Sequence, residues 1–143
     1  MLTPDELEDL GQSATQDIMV ATVVMNGDKM LLGEGALERN PFVIPSGHLK
    51  SGERPEDCSV RTVEEVSGIV CRNPELIFIH DRYQKDEGKR YVAMGMKSDY
   101  QSGKPDERQF RWHWFSPGDA LKLNLSKTDK LLIEHFLYTH LNR

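Results

Sequence analysis

Residues Asn40–Ile69 read NPFVIPSGHLKSGERPEDCSVRTVEEVSGI, and the way this stretch folds decides the rest of the chain. From Pro55 to Ser67 the apolar residues Cys58, Val60, Val63 and Val66 recur at helical spacing and fall mainly on one side. Pro55 sits where a first-turn proline is tolerated, because the amide it lacks would have no helical partner there. Gly68 fits the helix stop. Upstream, Phe42-Val43-Ile44 is a short strand bounded by prolines, and Ser46–Gly47 turns the chain toward the helix.

Working outward, Ile18–Met25 is dense in β-branched residues, and Asn26-Gly27-Asp28 turns it into Lys29–Gly33, which predicts a hairpin. A loop is expected over Glu34–Pro41. Thr3-Pro4-Asp5-Glu6 places a cap, a first-turn proline and early acids before Leu7 and Leu10, predicting a short helix that stops at Gly11. Downstream, strands are expected at Leu76–His80 and Arg90–Met96, separated by the charged loop DRYQKDEGK. After the polar loop SDYQSGKPDERQ, Phe110–Phe115 alternates as a strand and Ser116-Pro117-Gly118-Asp119 turns it. Lys127–Leu141 then reads as an amphipathic helix that Ser126 or Thr128 caps. The order of strands, central helix, strands and closing helix points to an α+β fold or a sandwich.

The composition is that of an ordinary globular chain: 143 residues, 38% hydrophobic and 29% charged, a length that favours one domain with one real core. A formal charge of −5 supplies no basic footprint for a long nucleic acid. The apolar runs Leu76–Ile79 and Val20–Met25 fall far short of the roughly 20 residues that span a bilayer. The opening MLTPDELEDL is acidic and does not read as a signal peptide. Cys58 and Cys71 have no Cys-x-x-Cys partner, so both are expected as reduced core thiols of a cytoplasmic protein. Ile18–Met25 and the C-terminal helix are candidate homodimer surfaces as much as core.

Within the opening stretch, Gly47 is followed after five residues by Glu53, and after seven more by Arg61. The sequence then runs Thr62, Val63, Glu64, Glu65, Val66, Ser67, Gly68, Ile69. This pattern resembles the box of the Nudix hydrolase superfamily (MutT-like), a Gly, five residues, a Glu, seven residues, then Arg-Glu-apolar-x-Glu-Glu-x-Gly-apolar. Gly47, Glu53, Arg61, Val63, Glu65, Gly68 and Ile69 match at undisturbed spacing, and the departures are Thr62 and Val66, where the family has glutamates facing divalent metals. Residues three and four apart share a helix face, so 62, 65 and 66 would form one cluster of which only Glu65 keeps its acid. Glu64 lies about 100° around the helix from Glu65 and does not replace the missing groups.

The resemblance implies an α+β, Nudix-like α/β/α sandwich with a mixed β-sheet. It also implies a hydrolase of nucleoside diphosphate-linked small molecules (nucleoside triphosphate, nucleotide sugar or dinucleotide), acting by water attack at phosphorus with Mg²⁺ or Mn²⁺. In that reading Glu65 is the principal ligand, Glu53 supports metal or water, and Arg61 orients the acid. The metal set is completed by the Gly47 carbonyl and a loop acid, Glu107 before Asp86, Glu87 or Asp106. His48, Arg82 and Trp114 are the expected substrate contacts, although for Trp112 and Trp114 on one strand face core packing is the first expectation and a stacking platform for a base the second. The alternative is a catalytically silent nucleotide-binding or regulatory module on the same fold.

Overall fold

The computed structural model describes residues 16–35, 41–84, 88–107 and 109–141. The helix expected after Thr3-Pro4 and the loop acids Asp86 and Glu87 lie outside the described residues.

Strand β1 (Gln16–Asn26) is the spine. It turns through Gly27-Asp28 into antiparallel β2 (Lys29–Glu34), as the turn chemistry predicts. Next come β3 (Phe42–Val43), β4 (Ser46–His48), helix α1 (Pro55–Ser67), β5 (Val70–Gln84), β6 (Lys89–Ser102) and β7 (Arg111–Phe115). A short helix α2 (Pro117–Ala120) leads to α3 (Lys127–Phe136), which runs into a π-helical turn over Leu137–Leu141. The path through the sheet is β3-β2-β1-β6-β5, with β4 paired to β1 and β7 to β2. β1 runs parallel to β6, from Gln16 opposite Arg90 to Met25 opposite Asp99. All the other recorded strand pairs are antiparallel, so the sheet is mixed.

Both faces of β1 are covered, which explains why its sequence is nearly continuous in apolar residues. Ala21, Val23 and Met25 pack with Met30, Leu32, Leu132, Ile133 and Phe136 under α3. The alternate residues serve α1: Val24 packs with Leu31, Val63, Ile69 and Trp112, and Val20 with Cys58 and Met96. The result is the α+β sandwich with a mixed sheet that the sequence suggested. No described helix is long and apolar enough to cross a membrane.

α1 spans the residues expected of it, and Gly68 ends it in the left-handed region at φ 78°, its N–H donating to Glu64 O. Its buried face is more polar than the valine pattern predicts. Cys58 and Val63 are buried, but so are Ser59, Thr62 and Ser67, whereas Val60 and Val66 are only half-buried. Small hydroxyl side chains let the helix approach the sheet closely while finding partners there: Thr22 Oγ1 and Ser59 Oγ are 2.6 Å apart.

β5 and β6 extend well beyond Leu76–His80 and Arg90–Met96, and residues 81–84 of the expected loop belong to β5. Pro74 and the charged run disguise β5, but an edge strand tolerates a proline. The register shifts there between Arg72 and Glu75, and Asn73 takes φ 55°. Residues 46–48, read from sequence as a turn, form β4, with Gly47 opposite Val20 of β1.

Candidate active site and its two flanking cavities

The loop between β4 and α1 closes on itself. Glu53 N–H donates to Lys50 O at 3.0 Å, and Lys50 N–H donates to Glu53 Oε1 at 3.1 Å. This aims the Glu53 carboxylate at Arg61, which sits in the second turn of α1. Arg61 meets it with two parallel bonds, Nε to Oε2 at 2.6 Å and Nη2 to Oε1 at 2.8 Å. The same guanidinium donates through Nη1 to Glu65 Oε2 at 3.0 Å and through Nη2 to the His48 carbonyl at 3.0 Å. One cation thus ties together the loop, β4 and two turns of α1, using the planar fork that suits paired acceptors.

The electrostatics follow from this wiring. The Arg61 hydrogen bonds hold the Glu53 carboxyl down at about 2, against the opposing effect of partial desolvation and with help from the Lys50 amide. Arg61 is correspondingly pushed above its ordinary value, first by Glu53 and then by Glu65. Glu53 is therefore a fixed anion at neutral pH, a brace and not a proton acceptor. Glu65 is the outer member, its side chain 56% exposed against 14% for Glu53. Cys58 lies beside the frame with its thiol pushed up to about 11 by burial, so it stays protonated.

Where the family carries its other acids, the helix presents different chemistry. Thr62 is only 2% exposed, and its Oγ1 donates back to Cys58 O at 2.8 Å. Gly47 explains the fit. A Cβ added there would stand 2.4 Å from Thr62 Cγ2, so β4 rides directly on the threonine methyl, and Gly47 serves close approach, not positive φ. Thr62 lies buried under Gly47 and Val66 is half-buried on a cavity wall beside β4, while Glu65 is exposed, so Glu65 alone of the three offers a carboxylate.

Among the described residues, no three His, Cys, Asp or Glu side chains gather where they could hold a metal ion. Glu107 is exposed in the segment after β6 and does not join Glu53 and Glu65 in such a group. Among the described residues, Glu53 and Glu65 by themselves do not supply the several oxygens that a divalent cation needs at once. The other expected site residues are dispersed. The His48 side chain points outward, with Nδ1 2.8 Å from Asp17 Oδ1, and it is the His48 carbonyl that joins the frame. Trp114 is half-buried with its ring edge-on to Tyr100 at 5.6 Å. Arg82 lies on β5 opposite Tyr91.

Two cavities flank β4, and Ser46 lines both. The first, about 270 Å³, opens between β1, β6 and the start of α3, against Met19, Ala21, His80, Ala93, Thr128 and Asp129. Asp129 is the functional candidate that sequence reasoning missed. Its Oδ2 accepts the Ile44 N–H at 3.3 Å, and burial pushes its carboxyl from 3.8 up to about 6, with the Ile44 and Ser126 hydrogen bonds opposing. In sequence, Asp129 three residues after Ser126 reads simply as the first turn of a capped helix, and Ser126 Oγ does accept the Asp129 N–H at 3.1 Å. Only the fold shows that the carboxylate is also a cavity wall. The second cavity, about 240 Å³, lies against Val66 and Trp112.

A mixed-sheet sandwich carrying a glycine-braced loop and an Arg-Glu-wired helix defines the architecture, and the comparisons give the family. The NUDIX domain model matches residues 15–136, so the chain belongs to the NUDIX family. Similar solved structures include the Escherichia coli ORF135 protein (TM-score 0.77, 22% identity, 92% of this chain and 96% of that one covered). A MutT protein from Bacillus halodurans follows (TM-score 0.76, 24% identity, 86% and 83% covered). A UDP-X diphosphatase matches with a TM-score of 0.70 and 20% identity, covering 100% of this chain and 74% of that one.

Proposed function

We propose that this chain is a hydrolase of nucleoside diphosphate-linked small molecules, acting by water attack at phosphorus. The observation that carries this reading is the wiring of Glu53, Arg61 and Glu65 to β4 and the loop that follows it, together with a cavity lined by Ser46 of the same strand. In this reading the diphosphate lies along Ser46–Gly47 and the outer edge of α1. The nucleoside moiety enters the cavity walled by Asp129, whose carboxyl carries a proton below about pH 6 and can then donate to a ring acceptor. Arg61 holds the Glu65 carboxylate outward, toward the phosphates, while Glu53 keeps the guanidinium in place. Mg²⁺ or Mn²⁺ belongs to the substrate here, carried on its phosphates, and Glu65 is the carboxylate the chain offers to that complex. The buried free thiols Cys58 and Cys71 support a cytoplasmic location.

A second reading, nucleotide binding without turnover, is favoured by a separate observation: Thr62 is buried with its hydroxyl bonded to the helix, and Val66 has no polar group. One experiment separates them. Nucleoside triphosphates, nucleotide sugars and dinucleotides are assayed for phosphate or nucleotide release with Mg²⁺ and Mn²⁺, with and without chelator, beside Glu65→Gln. Turnover that falls at least tenfold in Glu65→Gln and disappears with chelator supports the hydrolase. Saturable ADP binding with no turnover across the panel supports the silent module, and absence of both overturns the two readings together.

A further inference from the structure

The end of β4 carries a pair of side chains that the arginine frame does not use. His48 Nδ1 lies 2.8 Å from Asp17 Oδ1, and the two side chains are 66% and 45% exposed, so the pair is open to a ligand. As a surface ion pair it would add little to stability. It is nevertheless well fixed. Asp17 holds the ring, and the backbone beneath is held by pairing with Met19 and by Arg61, whose Nη2 donates to the His48 carbonyl at 3.0 Å. The carboxylate also decides the tautomer. A carboxylate only accepts, so the imidazole proton it shares sits on Nδ1, and in the neutral ring Nε2 is left as an acceptor. Such a nitrogen does not donate to a phosphate; the group it takes is a hydroxyl.

The position of the pair says which hydroxyl. Side chains two apart on a strand share a face, as do those directly opposite across a ladder. His48 therefore lies on the face of Ser46 with Met19 opposite it, and Asp17 lies opposite Tyr91. Ser46, Met19 and Tyr91 all line the cavity walled by Asp129. The pair thus stands at the rim of that cavity, one strand repeat beyond Ser46, or about 7 Å. With a nucleoside ring in the cavity and the diphosphate along Ser46–Gly47, the group that joins them beside β4 is a sugar. We propose that His48, oriented by Asp17, accepts a hydrogen bond from a ribose hydroxyl through Nε2 and so favours ribonucleotides over their deoxy counterparts. Asp17 is the positioning residue, acting through the ring it orients. This rests on the reading that the Asp129 cavity and the Ser46–Gly47 segment receive a nucleoside diphosphate group, and it holds whatever that group carries beyond its phosphates.

The test compares ADP with 2′-deoxy-ADP and 3′-deoxy-ADP on the intact chain at pH 8 with Mg²⁺, by calorimetry and by the ring ¹⁵N resonances of His48, assigned with His48→Phe. ADP should bind about fivefold more tightly than one of the two deoxy compounds, the effect of one hydrogen bond. Adding ADP should move the His48 Nε2 resonance upfield, and that deoxy compound should leave it in place. His48→Phe keeps a flat ring without an acceptor, so ADP should fall to the affinity of the deoxy compound, whose own binding stays within about twofold. Asp17→Ala should shrink the same preference. Equal binding of all three compounds, an unmoved Nε2 resonance, or a preference that survives His48→Phe overturns the sugar contact and leaves the diphosphate site standing. A preference unchanged in Asp17→Ala overturns the positioning role of Asp17. If none of the three compounds binds, the underlying reading falls and the contact with it.

Discussion

The outer and inner edges of α1 belong to one box motif and have gone separate ways. On the outer edge, Arg61 grips Glu53, Glu65 and the His48 carbonyl in a network of which the sequence foresaw only the Arg61–Glu65 contact. On the inner edge, Thr62 and Val66 have exchanged acid chemistry for packing: a methyl pressed under Gly47 and an apolar wall beside Trp112. The difference teaches that the box is two devices on one helix. The arginine frame fixes the loop to the helix. The acid cluster is an addition the frame can carry or omit.

The sharpest way to break this comparison is to return charge to the inner edge. Thr62→Glu would place a carboxylate at a site 2% exposed, with its nearest neighbours a methyl-packed glycine and helix carbonyls. An uncompensated buried charge of this kind costs about 3–5 kcal/mol, or protonates instead. Urea unfolding at pH 8 should show a loss of that order, recovering toward pH 5. A variant as stable as the parent at pH 8 would mean the inner edge still accommodates an acid.

A smaller effect tests the packing directly. Gly47→Ala should destabilise by about 1–3 kcal/mol, the usual cost of overpacking, because the new Cβ would meet Thr62 Cγ2. Adding Thr62→Ser removes that methyl and should restore part of the loss, since Thr62 Cβ remains 2.9 Å from the added atom. Additive losses in the double variant would show that Gly47 is needed for some other reason.

The smallest expected effect sharpens the outer edge. Glu53 is held at about 2 against an ordinary 4.5, so its contribution to stability is fully present above about pH 4.5 and is lost as pH falls toward 2. Arg61→Lys removes the two-toothed geometry, so the Glu53 carboxyl should move back toward its ordinary value, read as a carboxyl carbon NMR titration. The acid limb of the stability profile between those pH values should flatten. An unchanged Glu53 titration would mean that charge alone, and not the guanidinium fork, sets it.

Much of this molecule was legible before folding was considered. The hairpin at Asn26–Asp28, the α1 boundaries and the Gly68 stop all come from local chemistry: a turn dipeptide, a first-turn proline, a residue free to take φ 78°. The spacing of Gly47, Glu53 and Arg61 pointed to the family, which the domain match over residues 15–136 then established. Other features were hidden for identifiable reasons. β5 carries a proline and a run of charge, and it holds together because its partner β6 is long and its edge is open. Thr62 on a helical wheel lies with Glu65, yet it is buried because Gly47 brings β4 down upon it.

The amino-acid sequence by itself determined the class of fold, the pairing of Arg61 with Glu65 and the lack of acids at 62 and 66, because each depends on residue types at spacings that local structure preserves. Tertiary structure alone decided that Asp129 walls a cavity, that Ser46 is shared by two cavities, and that the Trp112 N–H has no hydrogen-bond partner among the described residues. Those facts depend on where elements far apart in the chain come to rest. A carboxylate in the first turn of a helix and an indole in a strand read as a cap and as core until the packing of β4 between them gives each a cavity to face.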